Sequence, residues 1–172
     1  IKRGRILRKS KNIREMVSEN KLHLDNLIQP IFLISGNNKR EKIKTMEGIE
    51  RKSIDLQIKD IKKMVSLGIK SIIIFPSIEE NKKNKNATEA LNPKGLIPKA
   101  IKKIKKEFPE LVLITDIALD PYNSDGHDGI VRNGKILNDK TVDILVKQAI
   151  LHAKSGADSV SYTHLTLPTT GI

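Results

Sequence analysis

Residues 53–75, "SIDLQIKDIKKMVSLGIKSIIIF", read as a helix running into a buried strand. Ile54, Ile58, Ile61 and Val65 fall at i, i+4, i+7 and i+11, which places them on one helical face. Ser53 is positioned as an N-cap, Asp55 suits the positive end of the helix dipole, and Gly68 supplies a C-terminal stop. The strand that follows, 71–75, is β-branched without alternation, the pattern of a strand covered on both faces of a parallel sheet. The same grammar recurs. Ile97, Ile101, Ile104 and Phe108 mark a helix over 96–108, with lysines on its other faces. Val142, Leu145, Val146, Ala149 and Ala153 mark another over 139–155, stopped by Gly156. Strands are expected at 27–34 and 111–115, with a fourth starting at 158–160. The order is therefore β-α-β-α-β-α-β, an α/β fold with parallel strands joined by right-handed crossovers. A doubly wound sheet and a barrel both fit. "LISGNNKRE" after the first strand lacks the G-x-G-x-x-G of a dinucleotide fold. In a barrel, four strands make half of the eight that close it.

Composition narrows the class. The 172 residues are 38% hydrophobic and 30% charged, the balance of a soluble globular domain. The apolar runs are too short to cross a bilayer, and no signal peptide is visible at the start, so no membrane partner is expected. With no cysteine there is no disulfide and no thiolate zinc site, and a reducing compartment, the cytoplasm, follows. The net charge of +12 admits a basic RNA-binding protein, but the lysines are dispersed and aromatics are only 3%, leaving few rings to stack on bases. A solvated, lysine-rich surface explains the charge without nucleic acid. The last stretch, "SYTHLTLPTTGI" (161–172), breaks from the lysine-rich chain before it and is expected to be a non-native tail.

The chemistry concentrates in "TDIALDPYNSDGHDGIV" (115–131), one of two long connections that leave the C-terminal ends of strands. Asp116 ends the third strand, and Asp120, Asp125, His127 and Asp128 follow. Carboxylates so placed can hold a hard cation such as Mg²⁺, move protons, or fix a nearby ammonium. They can equally make Asx turns on a solvated loop, helped by Pro121 and Gly126. His127, between a glycine and an aspartate, suits a turn better than a ligand set. No Ser-His-Asp arrangement, H-E-x-x-H or P-loop is present.

This loop resembles the signature loop of porphobilinogen synthase, also called 5-aminolevulinate dehydratase. "RGRILRKSKNIREMVSEN", "DNLIQPIFLISG", "IKTMEGIERKSID", "LGIKSIIIFPSI", "EALNPKGL" and "ILNDKTVDILVKQAILHAKSGADSV" are similar to that family's successive segments, in order, over residues 2–160. The resemblance implies the N-terminal half of a (β/α)₈ TIM barrel at 26–160, preceded by an arm at 1–25 that wraps a neighbouring subunit, in a homo-octamer. It implies condensation of two 5-aminolevulinate molecules to porphobilinogen with loss of two waters, in tetrapyrrole and heme biosynthesis. Where some members carry three zinc-binding cysteines, Ala118, Asp120 and Asp128 stand here, so the sequence resembles the aspartate-rich, magnesium-responsive type. The implied active-site carboxylates are Asp116, Asp120 and Asp128, with Asp120 and Asp128 as candidate metal ligands and Mg²⁺ either there or at an allosteric interface. The family's two Schiff-base lysines lie beyond residue 160, so this segment alone is expected to be inactive. Another magnesium-dependent barrel lyase or aldolase is the competing enzyme reading.

Overall fold

The computed structural model describes residues 4–161. A short helix α1 (Lys11–Met16) precedes β1 (Gln29–Ile34), the antiparallel pair β2 (Arg40–Lys42) and β3 (Glu50–Lys52), α2 (Ile54–Ser66), β4 (Ser71–Ser77), α3 (Leu96–Glu107), β5 (Val112–Asp116), the small hairpin β6 (Val131–Arg132) and β7 (Lys135–Ile136), α4 (Asn138–Ser155) and β8 (Ser159–Ser161). The expected strands and helices are all present, with ends moved by at most two residues. Absent from the expectation were α1, the β2–β3 pair and the β6–β7 hairpin. These are short, and two or three residues carry too little periodicity to be read. Of the expected tail 161–172, only Ser161 lies among the described residues.

The main sheet runs β2-β3-β1-β4-β5-β8. β1, β4, β5 and β8 are parallel neighbours in chain order, and β3 lies parallel to the outer side of β1 through Phe32 and Leu33. Ile31, Leu33, Ile72, Ile74 and Leu113 point to one face, where they are buried against Ile61 of α2 and Ile97, Ile101 and Ile104 of α3. α4 joins the same face, since His152 meets Thr115 of β5 at 2.9 Å. Pro30, Phe32, Ile73, Phe75, Val112 and Ile114 point the other way and are exposed or only half-buried. Phe32 and Phe75, paired in register, stack with ring centroids 5.6 Å apart. A doubly wound sheet carries helices on both faces. Here every long helix lies on one.

The helix termini follow the sequence except at Ser53. Gly68 and Gly156 take the left-handed conformation at φ +94° and +110° and end α2 and α4. Ser53 sits at the N-cap position with extended backbone, but its hydroxyl makes no capping bond. It accepts from the Lys39 amide at 3.0 Å and donates to the Lys39 carbonyl at 3.2 Å, which ties the chain before β2 to the start of α2. The apolar face expected for α4 is also rotated. Val146 is exposed, while Thr141, Ile144, Leu145, Gln148, His152 and Ser155 are buried. Polar side chains that find partners inside can displace a valine to solvent.

Residues 4–28 contribute no buried side chain. Ile6, Met16 and Leu22 are 76–79% exposed. Their end is anchored by Asp25, paired with Lys70 at 2.7 Å, and by Leu24, packed against Gly68, where a Cβ would stand 2.8 Å from its methyl.

The edge strand β8 is held by Asp158. Its carboxylate accepts the Leu113 amide at 2.8 Å and the Lys105 ammonium at 3.0 Å, and Lys105 also donates to the carbonyls of Pro109 and Leu111. Burial works to raise the Asp158 pKa, but the Leu113 amide and Lys105 outweigh it and hold the carboxyl below its usual range. Replacing Asp158 with alanine is expected to destabilise the chain by about 1–3 kcal/mol, the cost of leaving a hydrogen-bonded backbone amide and ammonium unserved. Chemical denaturation checks this, and a loss confined to amide protection at 113 and 159–161 would mark release of the edge alone.

Candidate functional site

Side chains alternate along a strand. Leu113 and Thr115 are committed to the helix-covered face, so Asp116 emerges on the open one, at the C-terminal end of β5 beside Ser161 of β8. Ile117 and Leu119 then dive into a second apolar cluster with Ile78, Tyr122, Ile130, Ile144 and Leu145, Ala118 is buried between them, and Asp120 returns to the surface. The result is a cleft of about 240 Å³ lined by Asp116, Asp120, Pro121, Phe32, Phe75, Pro76, Ser77 and Arg51. Two carboxylates, one guanidinium, one hydroxyl and a stacked aromatic pair thus share one opening above the strand ends. Asp128 is half-buried farther along the loop and does not line this cleft.

The rest of the loop is ordered by its own polar groups. Asn123 is 2% exposed. Its Nδ2 donates to the carbonyls of His127 and Gly129 at 3.0 and 3.2 Å, and its Oδ1 accepts from the Asp125 amide at 2.9 Å. His127 Nδ1 accepts from the Gly129 amide at 2.9 Å, so this histidine serves the turn, while Asp125 is exposed. The connection after β4 is bonded to this loop through Asn84, whose amide donates to Tyr122 and whose carbonyl accepts from Ser124.

α4 supports the site from behind. Thr141 Oγ1 accepts from the Ile130 amide at 3.0 Å, Gln148 Nε2 donates to the Ala118 carbonyl at 3.3 Å, and His152 Nδ1 meets the Thr115 hydroxyl. Tyr122 is buried against Gln148; burial first, then the nearby Glu89, Asp116 and Asp120 carboxylates, push its hydroxyl well above the ordinary range, so it stays a proton donor. Burial pulls His152 down to about 4, so its ring is neutral at pH 7.

Of the three carboxylates expected at the site, the cleft gathers Asp116 and Asp120. Among the described residues no group of three or more histidine, aspartate or glutamate side chains is placed to hold a metal ion. Ala118 is buried and offers no side-chain donor, and the pair expected as ligands, Asp120 and Asp128, differ in that only Asp120 faces the cleft. The residues present do not by themselves make a metal centre. Arg51, Phe32, Phe75 and Ser77 were not singled out from sequence, because only strand register brings them beside Asp116. Gln148 and His152 did leave a trace: two polar residues four apart among the apolar positions of a helix.

Known proteins resemble this chain in sequence and in fold. The model of the family described as "Delta-aminolevulinic acid dehydratase" matches residues 1–166. The delta-aminolevulinic acid dehydratase of Bradyrhizobium diazoefficiens is 45% identical over 159 residues, covering 92% of this chain and 45% of the relative. That of Bacillus subtilis is 39% identical over 163 residues, covering 95% and 50%. The crystal structure of the Toxoplasma gondii enzyme in complex with its reaction product porphobilinogen superposes with a TM-score of 0.90 at 41% identity, over 95% of this chain and 47% of that one. The chain spans about half the length of the curated relatives it matches.

Two outcomes test the local physics. His152 has a folded pKa below its ordinary value of 6.5, so its contribution is present in full above pH 6.5 and is lost as pH falls towards 4. Denaturation midpoints are therefore expected to fall between pH 6.5 and 4, and to fall less in His152→Gln. Asn123→Ala strips three backbone groups of their partner and is expected to cost about 2 kcal/mol or more, with loss of the resolved amide signals of residues 125–129.

Proposed function

The chain belongs to the delta-aminolevulinic acid dehydratase family, and from that premise we propose that the whole protein condenses two 5-aminolevulinate molecules to porphobilinogen with loss of two waters, with this chain supplying the carboxylate-bearing first half of a (β/α)₈ barrel. The observation that carries the reading is that Asp116, at the C-terminal end of β5, and Asp120, four residues beyond it, share one cleft above the strand ends, on the sheet face that no described helix covers. In a closed barrel that face is the interior, and that end is where catalytic groups sit. The half-exposed Phe32, Phe75, Ile73 and Ile114 are what an interior awaiting its opposite wall looks like.

Within this reading, Asp116 and Asp120 hold the substrate ammonium and exchange protons with it, since a carboxylate beside an amine both stabilises the cation and can accept its proton. Asp128, the third carboxylate expected at the site, does not line this cleft and is given no part in that step. Carbon–nitrogen bond formation through a Schiff base requires a lysine held neutral. Among the described residues no lysine lines the cleft. Lys52, near the strand ends, is shifted the other way: its hydrogen bond to Asp60 raises its pKa against the effect of burial. The Schiff-base lysines are therefore assigned to sequence outside this chain, and the chain alone is inactive. Asp120 and Asp128 would contribute to a bound Mg²⁺ only together with groups from outside the described residues, and no step is derived through a metal. The exposed apolar residues of 4–28 support an arm that packs on another subunit, as a homo-octamer would use it. No described helix is long and apolar enough to cross a membrane. A cytoplasmic location belongs to the same family reading.

Complementation tests this. The purified chain is expected to form no porphobilinogen from 5-aminolevulinate. Co-expressed with the second half of the Bradyrhizobium diazoefficiens relative, it is expected to restore turnover, and Asp116→Asn or Asp120→Asn in this chain to reduce that turnover by about 10²-fold or more. Turnover by the chain alone would overturn the assignment of the lysines. Full turnover with both aspartates replaced would overturn the role given to the carboxylates.

A further inference from the structure

We propose that Gln148 and His152 are positioning residues that hold the Asp116–Asp120 turn from behind, and that one buried water between Gln148 Oε1 and His152 Nε2 joins them. The two side chains lie one turn apart on α4, and they are 0% and 1% exposed. Each already grips the turn: Gln148 Nε2 donates to the Ala118 carbonyl at 3.3 Å, and His152 Nδ1 meets the Thr115 hydroxyl at 2.9 Å. Thr115 precedes Asp116, and Ala118 lies between Asp116 and Asp120, so the two contacts bracket the carboxylates of the cleft.

Each residue keeps one buried polar atom with no protein partner, Oε1 of Gln148 and Nε2 of His152. The ring is neutral at pH 7, so it carries one donor and one acceptor. The contact to Thr115 fits either tautomer; we take the one in which the Thr115 hydroxyl donates to Nδ1 and the proton sits on Nε2. The remaining atoms are then one donor and one acceptor, on side chains that neighbour each other on one helix face. Buried polar atoms of native proteins are rarely left unsatisfied, and a buried water satisfies such a pair with two of its bonds. The chain Thr115–His152–water–Gln148–Ala118 then closes behind the turn, and the backbone that carries Asp116 and Asp120 is held at two points by a neutral network. The role of this network rests on the reading that these carboxylates serve the site. Its existence does not.

Nitrogen-15 NMR of the histidine rings in the 172-residue chain tests it without any turnover. The expected result is a neutral His152 ring protonated on Nε2, with that proton protected from bulk exchange and showing contact to a bound water. In Gln148→Leu the protection is expected to be lost and the amide signals of Ile117 to Asp120 to shift; in Gln148→Glu, which keeps an oxygen acceptor, the ring proton is expected to be protected again. Protonation on Nδ1, or Gln148→Leu spectra with unchanged His152 and Ile117–Asp120 signals, would overturn the proposal. If Gln148→Leu fails to fold, the tautomer of the unaltered chain and a crystallographic search for the water decide alone. A failure here with complementation intact would remove the network and leave the dehydratase reading standing; the reverse result would do the opposite.

Discussion

Everything in this structure follows from burying one face of a parallel sheet. Ile31, Leu33, Ile72, Ile74 and Leu113 are at most 3% exposed beneath α2 and α3. At about 1.5–3 kcal/mol for each fully buried aliphatic side chain, no single polar contact here competes with that row. Because side chains alternate, committing these residues to the helices commits their neighbours to the opposite face. Phe32 and Phe75 stack there because both are forced there, and Asp116 reaches the cleft for the same reason. A one-residue slip of β5 would put Asp116 into the helix interface and Thr115 into the opening. The register that protects the core is the register that aims the carboxylate.

Beyond the strand, the problem changes from apolar burial to polar accounting. A long loop that returns over a core exposes backbone groups that must all be paired. Asn123 serves three of them, His127 one, and Thr141 another. Ile117, Leu119, Tyr122 and Ile130 fill the space beneath. The loop therefore has its own small core and its own hydrogen bonds. On the proposed reading, carboxylates carried on such a platform would keep their positions when a substrate arrived, which is what electrostatic catalysis requires.

The regular elements were legible because long helices and buried strands repeat their periods many times. Ile97, Ile101 and Ile104 were expected on one face of α3 and all three are buried. Legibility failed where polar residues do structural work. Ser53 was read as a cap from its type and place, but the chain before β2 approaches closely enough to take its hydroxyl. Val146 was read as core and is exposed, because Gln148 and His152 occupy the buried face with partners supplied by β5 and the loop after it. Val65 was likewise expected to be buried and is 41% exposed at the end of α2. Hydrophobic periodicity cannot anticipate partners that lie 30 or 37 residues away. For the site, the acidic residues themselves were plain in the sequence, whereas Arg51 and the phenylalanine pair became neighbours of Asp116 only through strand order.

The lysines show the same distinction between composition and placement. Their dispersal over helix surfaces suggested a solvated coat, and for many that is what they form. Lys105 is different: its ammonium binds the Pro109 and Leu111 carbonyls and the Asp158 carboxylate, and so pins β8 beside β5. Lys52 sits between Glu50 and Asp60 at 3.3 and 2.7 Å. Acidic partners stabilise the charged ammonium, the reverse of what an amine nucleophile needs. A neutral lysine belongs in an apolar, enclosed site, and the open sheet face with its phenylalanine pair would become such a site only when an opposite wall covers it. The same covering would bury Phe32, Phe75 and Ile114, shield Asp116 and Asp120 from water, and lower the pKa of any lysine brought in with the new wall. On the proposed reading, closing the barrel and activating its nucleophile would be one event, to which this chain would bring the carboxylates.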